Sequence, residues 1–96
     1  MEKEEIKQRL HTIIDGLKSP WNDMEITDTS DLREDIGLES IDFLDMILQT
    51  ETMFNIKITP EEASSCKMVS DFVSLVEQKV NIQHSSLNMN KDGKDN

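Results

Sequence analysis

The chain is poor in the residues that brace small proteins or build common catalytic centres. It has one cysteine, two prolines, three glycines, no tyrosine and four aromatic side chains, Trp21, Phe43, Phe54 and Phe72. The lone Cys66 excludes an internal disulfide and fits a reducing compartment. Gly16, Gly37 and Gly93 are too scattered for a glycine-rich phosphate loop. His11 and His84 stand at opposite ends of the chain, so they and Cys66 form no cluster with zinc-ligand spacing. The acidic run "DMEITDTSDLRED" lacks the alternating ligands and central glycine of a calcium loop. No Ser–His–Asp or Cys–His constellation can be assembled, and a non-catalytic role is expected. No apolar run approaches the ~20 residues that span a bilayer, and "MEKEEIKQRL" lacks the apolar centre of a secretory signal. The expected location is the cytoplasm.

What the chain does have is acid, and the acid is concentrated. The formal net charge is −10. Residues 1–20 and 63–96 each balance, whereas residues 21–62 hold twelve acids against only Arg33 and Lys57. Such a field repels nucleic acid and steers basic protein surfaces inward. With 96 residues and 35% apolar content, the chain suits one small domain with a thin aliphatic core.

Periodicity points to helices. Ile6, Leu10, Ile13, Ile14 and Leu17 mark one face of a first helix, which "KSPW" ends because Pro20 disfavours helical geometry at Ser19. Residues 19–39 form a long connection, pinned to the core by Ile26, Leu32, Ile36 and Leu38. A second helix is predicted from Ser40 to about Met53, with Leu44, Ile47, Leu48 and Glu51 on one side and Asn55 closing it in the left-handed conformation. Thr59, Pro60 and Glu62 make a capping box with proline at the first helical position, opening a short third helix over about 60–66. The last helix, about 69–81, buries Val69, Phe72, Val73, Val76 and Val80. The domain is expected over 1–82, and the polar residues 83–96 are expected to form a disordered tail. Met24, Met46, Met53 and Met68 are read as core or gap fillers.

The segment "EDIGLESIDFLDMI" raises the functional question. As the N-cap of the second helix, Ser40 would accept a backbone N–H, with Asp42 favourably placed against the helix dipole. Gly37 supplies a sharp bend that leaves the hydroxyl unshielded, while Leu38 and Ile41 flank it as anchors to the core. A hydroxyl held outward on an acidic helix end suits modification by another protein, and a phosphate there would face the positive end of the dipole.

These residues carry a resemblance. The run "DLREDIGLESIDFLDMILQTETMFNIKITPEEA", with Asp35-Ile36-Gly37-Leu38-Glu39-Ser40-Ile41 at its centre, resembles the middle of acyl carrier proteins. The likeness extends over about residues 4–81 through helix order, the long first loop and "ITPEEA" before a short third helix. It implies an all-α, small four-helix bundle of the acyl-carrier type and a 4′-phosphopantetheine arm on Ser40. A phosphopantetheinyl transferase would move that arm from coenzyme A, and its thiol would carry acyl groups as thioesters between enzymes of fatty-acid or related specialised biosynthesis. It further implies that Glu39, Asp42, Leu44, Asp45, Leu48 and Glu51, extended by Glu61 and Glu62, contact basic surfaces on partner enzymes. For Leu44 and Leu48 a place toward the core or cleft is as much expected as a partner contact. Glu39 stands where the family usually has aspartate, Ile41 where it has leucine, and Thr52 where fatty-acid carriers often keep an acid. The carrier is expected to be a monomer. The competing reading is an unmodified acidic helical adaptor in which Ser40 is only a helix cap.

Overall fold

The computed structural model describes residues 2–19 and 21–90, with backbone alone over 83–90. Four helices follow in order: α1 Lys3–Leu17, α2 Ser40–Phe54, α3 Pro60–Ser64 and α4 Val69–Asn90. The expected starts hold, and α3 is two residues shorter than expected. α4 differs more. It runs past the expected end near residue 81, so the backbone over 83–90 is helical where an irregular tail was expected. Residues 91–96 of that expected tail lie outside the described residues.

α1 packs on α2 and α4, and α2 packs on α3. The apolar stripe of α1, Ile6, Leu10, Ile13 and Ile14, is buried against Phe72, Val73 and Val76 of α4 and Met46 and Ile47 of α2 in one core cluster. Trp21 lies outside that core, and of Met24, Met46, Met53 and Met68 only Met46 is buried, with Met24 and Met53 exposed. The buried Cys66 thiol is pushed up to about 11, chiefly by its removal from water. It therefore stays protonated at neutral pH.

The long loop before α2 is held by more than its apolar pins. Leu32, Ile36 and Leu38 are buried as expected and Ile26 is half-buried. Beside them, the Asp31 carboxylate accepts the N–H groups of Arg33 and Glu34 at 2.9 and 2.8 Å and the Lys67 ammonium at 2.8 Å. Leu32 N–H donates to Lys67 O at 2.9 Å, Val69 N–H donates to Ser30 O at 3.0 Å, and Asp31 forms an isolated antiparallel bridge with Met68. The loop is thus stapled to the start of α4, where Asp71 accepts the Lys67 and Met68 N–H groups at 3.0 and 2.9 Å.

These contacts fix how the chain responds to acid. Hydrogen bonds from Glu34 N–H and Lys67 hold Asp31 down at about 2, and the Met68 and Lys67 N–H groups lower Asp71. Lys79, 2.7 Å away, and Thr59 N–H lower Glu62. Each carboxylate is stabilised in the folded state, so its contribution is full above the ordinary range near pH ~4 and is lost as pH falls through the lowered values. Circular dichroism melts should show a near-constant midpoint from pH 7 to about 5 and a steep fall between about 4 and 2. Asp31→Asn should flatten that fall.

Two buried side-chain atoms among the described residues have no hydrogen-bond partner, His11 Nε2 and the Thr50 hydroxyl. Thr50 has no exposure on α2, yet its hydroxyl has no hydrogen-bond partner. Thr50→Val keeps the shape and removes the stranded oxygen, so it should stabilise by about 1–2 kcal/mol, raising the melting midpoint several degrees.

Candidate functional site

The chain reaches Ser40 through a bend that only one residue takes comfortably. Gly37 has φ +84, a conformation side chains resist, although a Cβ there would meet no neighbour within 4 Å. The need at this position is conformational. Leu38 then drops back into the core, its N–H donating to Leu32 O at 3.0 Å, and α2 begins two residues later.

Ser40 is not the cap of α2. Glu39 takes that position in extended conformation and Ser40 is the first helical residue. Asp42 accepts the Glu39 N–H at 2.9 Å, and Phe43 N–H donates to Glu39 O at 2.9 Å. The first turn is therefore closed by acids on either side of the serine. Among the described residues Ser40 makes no side-chain hydrogen bond, and it is exposed. The expected cap fails because Glu39 is the last extended residue and its N–H is held by the Asp42 carboxylate, which leaves Ser40 already helical. Ile41 is a second correction: it is 72% exposed and anchors nothing.

Beside Ser40 lies a cavity of about 510 Å³ between α2 and α3, lined by Leu38, Phe43, Leu44, Ile47 and Ala63 and by Arg33. Leu44 and Leu48 are 54% and 63% exposed, so neither sits in the core, and Leu44 also lines the cavity. With Ile41 and Asp45 they form a mixed apolar and acidic strip one turn apart along α2.

The other expected recognition residues divide. Asp45 and Glu61 are exposed; Asp45 makes only an i,i+4 contact with Gln49 at 3.0 Å. Glu51 is half-buried and accepts Ile58 N–H at 2.8 Å, tying the end of α2 to the segment before α3. Glu62 is also half-buried, shared between Thr59 N–H at 2.9 Å and Lys79 at 2.7 Å. Those two acids serve the fold. His11 is remote from Ser40, its Nε2 3.9 Å from Asp28. Arg33, one of only two bases in the acidic stretch, lines the cavity with its guanidinium 4.3 Å from the centroid of the Phe43 ring.

Residues 18–76, a span containing the bend, Ser40 and the cavity, match the family described as "Phosphopantetheine attachment site". The chain is also 34% identical over 80 residues to an acyl carrier protein of Coprothermobacter proteolyticus, covering 83% of this chain and 96% of that protein. The chain belongs to the acyl carrier protein family. An acyl carrier protein of Thermotoga maritima is 28% identical over 78 residues, covering 81% of this chain and 95% of its own length. One from Rubrobacter xylanophilus is 30% identical over 76 residues, covering 79% and 93%. The group this family attaches, phosphopantetheine, is bound covalently and needs an accessible nucleophile with room for a phosphodiester. An unbonded, exposed hydroxyl on the first turn of a helix, next to a cavity, meets those requirements. No helix among the described residues is long and apolar enough to cross a membrane.

Proposed function

We propose that the chain is a non-catalytic acyl carrier and that Ser40 bears its 4′-phosphopantetheine. The observation that carries this reading is the free Ser40 hydroxyl at the first position of α2, inside the family match and beside an apolar cavity. A phosphopantetheinyl transferase joins Ser40 Oγ to the pantetheine-bearing phosphorus of coenzyme A. The pyrophosphate P–O bond breaks, 3′,5′-ADP leaves, and the hydroxyl proton is released. The imported thiol supplies what the chain lacks, because its own Cys66 thiol is buried and held protonated. Acyl groups then ride on that thiol as thioesters among cytoplasmic acyl-processing enzymes of fatty-acid or related biosynthesis.

The partners are proposed to present basic surfaces to Glu39, Asp45 and Glu61 and apolar pockets to Ile41, Leu44 and Leu48, meeting the chain as a monomer. Acidic focusing makes such encounters fast and selective, and opposes nucleic acid. The carrier unit spans residues 1–82, with α4 continuing beyond it. The adaptor reading loses its support once Glu39, and not Ser40, caps α2. The test is incubation with coenzyme A and a broad-range transferase, followed by intact-mass measurement. One added phosphopantetheine is expected; no addition with several transferases would overturn the proposal.

A further inference from the structure

We infer that Arg33 forms an anion subsite in the wall of the Ser40 cavity, taking an oxyanion carried on the arm attached at Ser40; this rests on the attachment reading above. Among the described residues only Arg33 and Lys57 of the lysines and arginines lack a carboxylate partner, and Lys57 does not line the cavity. Lys7, Lys67 and Lys79 sit 2.9, 2.8 and 2.7 Å from carboxylates. The Arg33 guanidinium, in the most acidic part of the sequence, has no carboxylate within ion-pair distance among the described residues. Its partners are neutral. One terminal nitrogen donates to Cys66 O and the other to Ser64 O, both at 3.3 Å, and the group lies 4.3 Å from the centre of the Phe43 ring. A guanidinium has five N–H donors, so these bonds leave three available.

The group is also fixed in place. Arg33 N–H donates to Asp31 Oδ1 at 2.9 Å, and the preceding Leu32 is fully buried. Phe43 follows Ser40 by three residues, placing the ring one helical turn from the serine. Arg33, Glu39 and Ser40 line the same cavity, and Arg33 is the one cation among its lining residues. A plain hydrocarbon lodged there would cover the guanidinium without satisfying its donors, which is costly. An oxyanion would pair with two parallel N–H groups at once. Glu39 in the lining and Glu34 and Asp35 beside it repel anions, so within the cavity an oxyanion is accepted only at the guanidinium.

Two parts of a loaded arm offer that chemistry: its phosphodiester, and a carboxylate at the far end of an acyl group. Nitrogen-15-labelled full-length chain would be compared unmodified, with the bare arm, with a hexanoyl arm and with an adipoyl arm, which adds a terminal carboxylate at equal chain length. Intact mass reports loading, and the Arg33 Nε–H resonance, assigned by its loss in Arg33→Lys, reports the subsite. A shift on attachment of the bare arm assigns the subsite to the phosphodiester. A shift with adipoyl but not hexanoyl assigns it to the cargo carboxylate, and there adipoyl thioester hydrolysis should be about fivefold slower than in Arg33→Gln, a difference erased by high salt. Correct masses with an unmoved resonance, or equal shifts from hexanoyl and adipoyl alone, would overturn the subsite and leave the attachment intact. Absence of the added mass would overturn the attachment reading and the subsite with it.

Discussion

Ser40→Ala is expected to abolish phosphopantetheine addition completely while leaving the fold intact. Both halves follow from where the side chain sits. The hydroxyl is exposed, on the first residue of α2, and makes no side-chain hydrogen bond among the described residues. Its removal strands no partner and opens no cavity. Alanine is the better helix former by about 0.5 kcal/mol, so the melting midpoint should be unchanged or slightly raised. Had Ser40 been the cap, the same substitution would cost about 1 kcal/mol. The thermal measurement therefore separates the two roles as cleanly as the mass measurement does. Ser40→Cys adds a sharper control: it keeps a nucleophile in place, and a gain of mass on that variant would show that the transferase reads position, not only the oxygen. A clear loss of stability in Ser40→Ala would contradict the geometry of the α2 start.

That outcome also marks how far local chemistry reaches. Thr59, Pro60 and Glu62 open α3 with both legs of the capping box, Asn55 closes α2 at φ 56, and Gly37 bends at φ 84, each as its neighbours in sequence imply. Such features are legible because every interacting group lies within a few residues. The cap of α2 misled for the same reason: Ser40 and Glu39 are adjacent candidates, and the choice turned on Asp42 reaching back to the Glu39 N–H. Contacts across long separations left no signal. The Asp31–Lys67 pair and the bonds from Arg33 to Ser64 and Cys66 join residues more than thirty apart, and they decide both the path of the loop and the wall of the cavity. The outward turn of Ile41 was equally hidden, since an apolar residue at a helix start fits either face until packing chooses. Arg33 alone had a usable clue, as one of two bases amid twelve acids.

Reversing charge on the exposed acids should slow partner enzymes severely, and the choice of acid decides whether the result means anything. Asp45→Lys with Glu61→Lys alters two exposed side chains that hold no backbone N–H. The field at this end changes by four charges, and electrostatic steering is worth about 10–10³ in association rate. At low ionic strength kcat/KM with the transferase should fall about 10–100-fold, through KM more than kcat, with melting unchanged to within about 0.5 kcal/mol. Raising salt past about 0.5 M should bring wild type and variant together, because screening removes the wild-type advantage. Glu51→Lys behaves differently. Its carboxylate accepts Ile58 N–H at 2.8 Å, so the variant should lose about 1–3 kcal/mol of stability through a stranded backbone donor. A rate loss there would report damage to the α2–α3 connection and would persist at high salt. If instead the double variant kept its rate at low salt, the acidic strip would be a solvated face, and recognition would rest on Ile41, Leu44 and Leu48 alone.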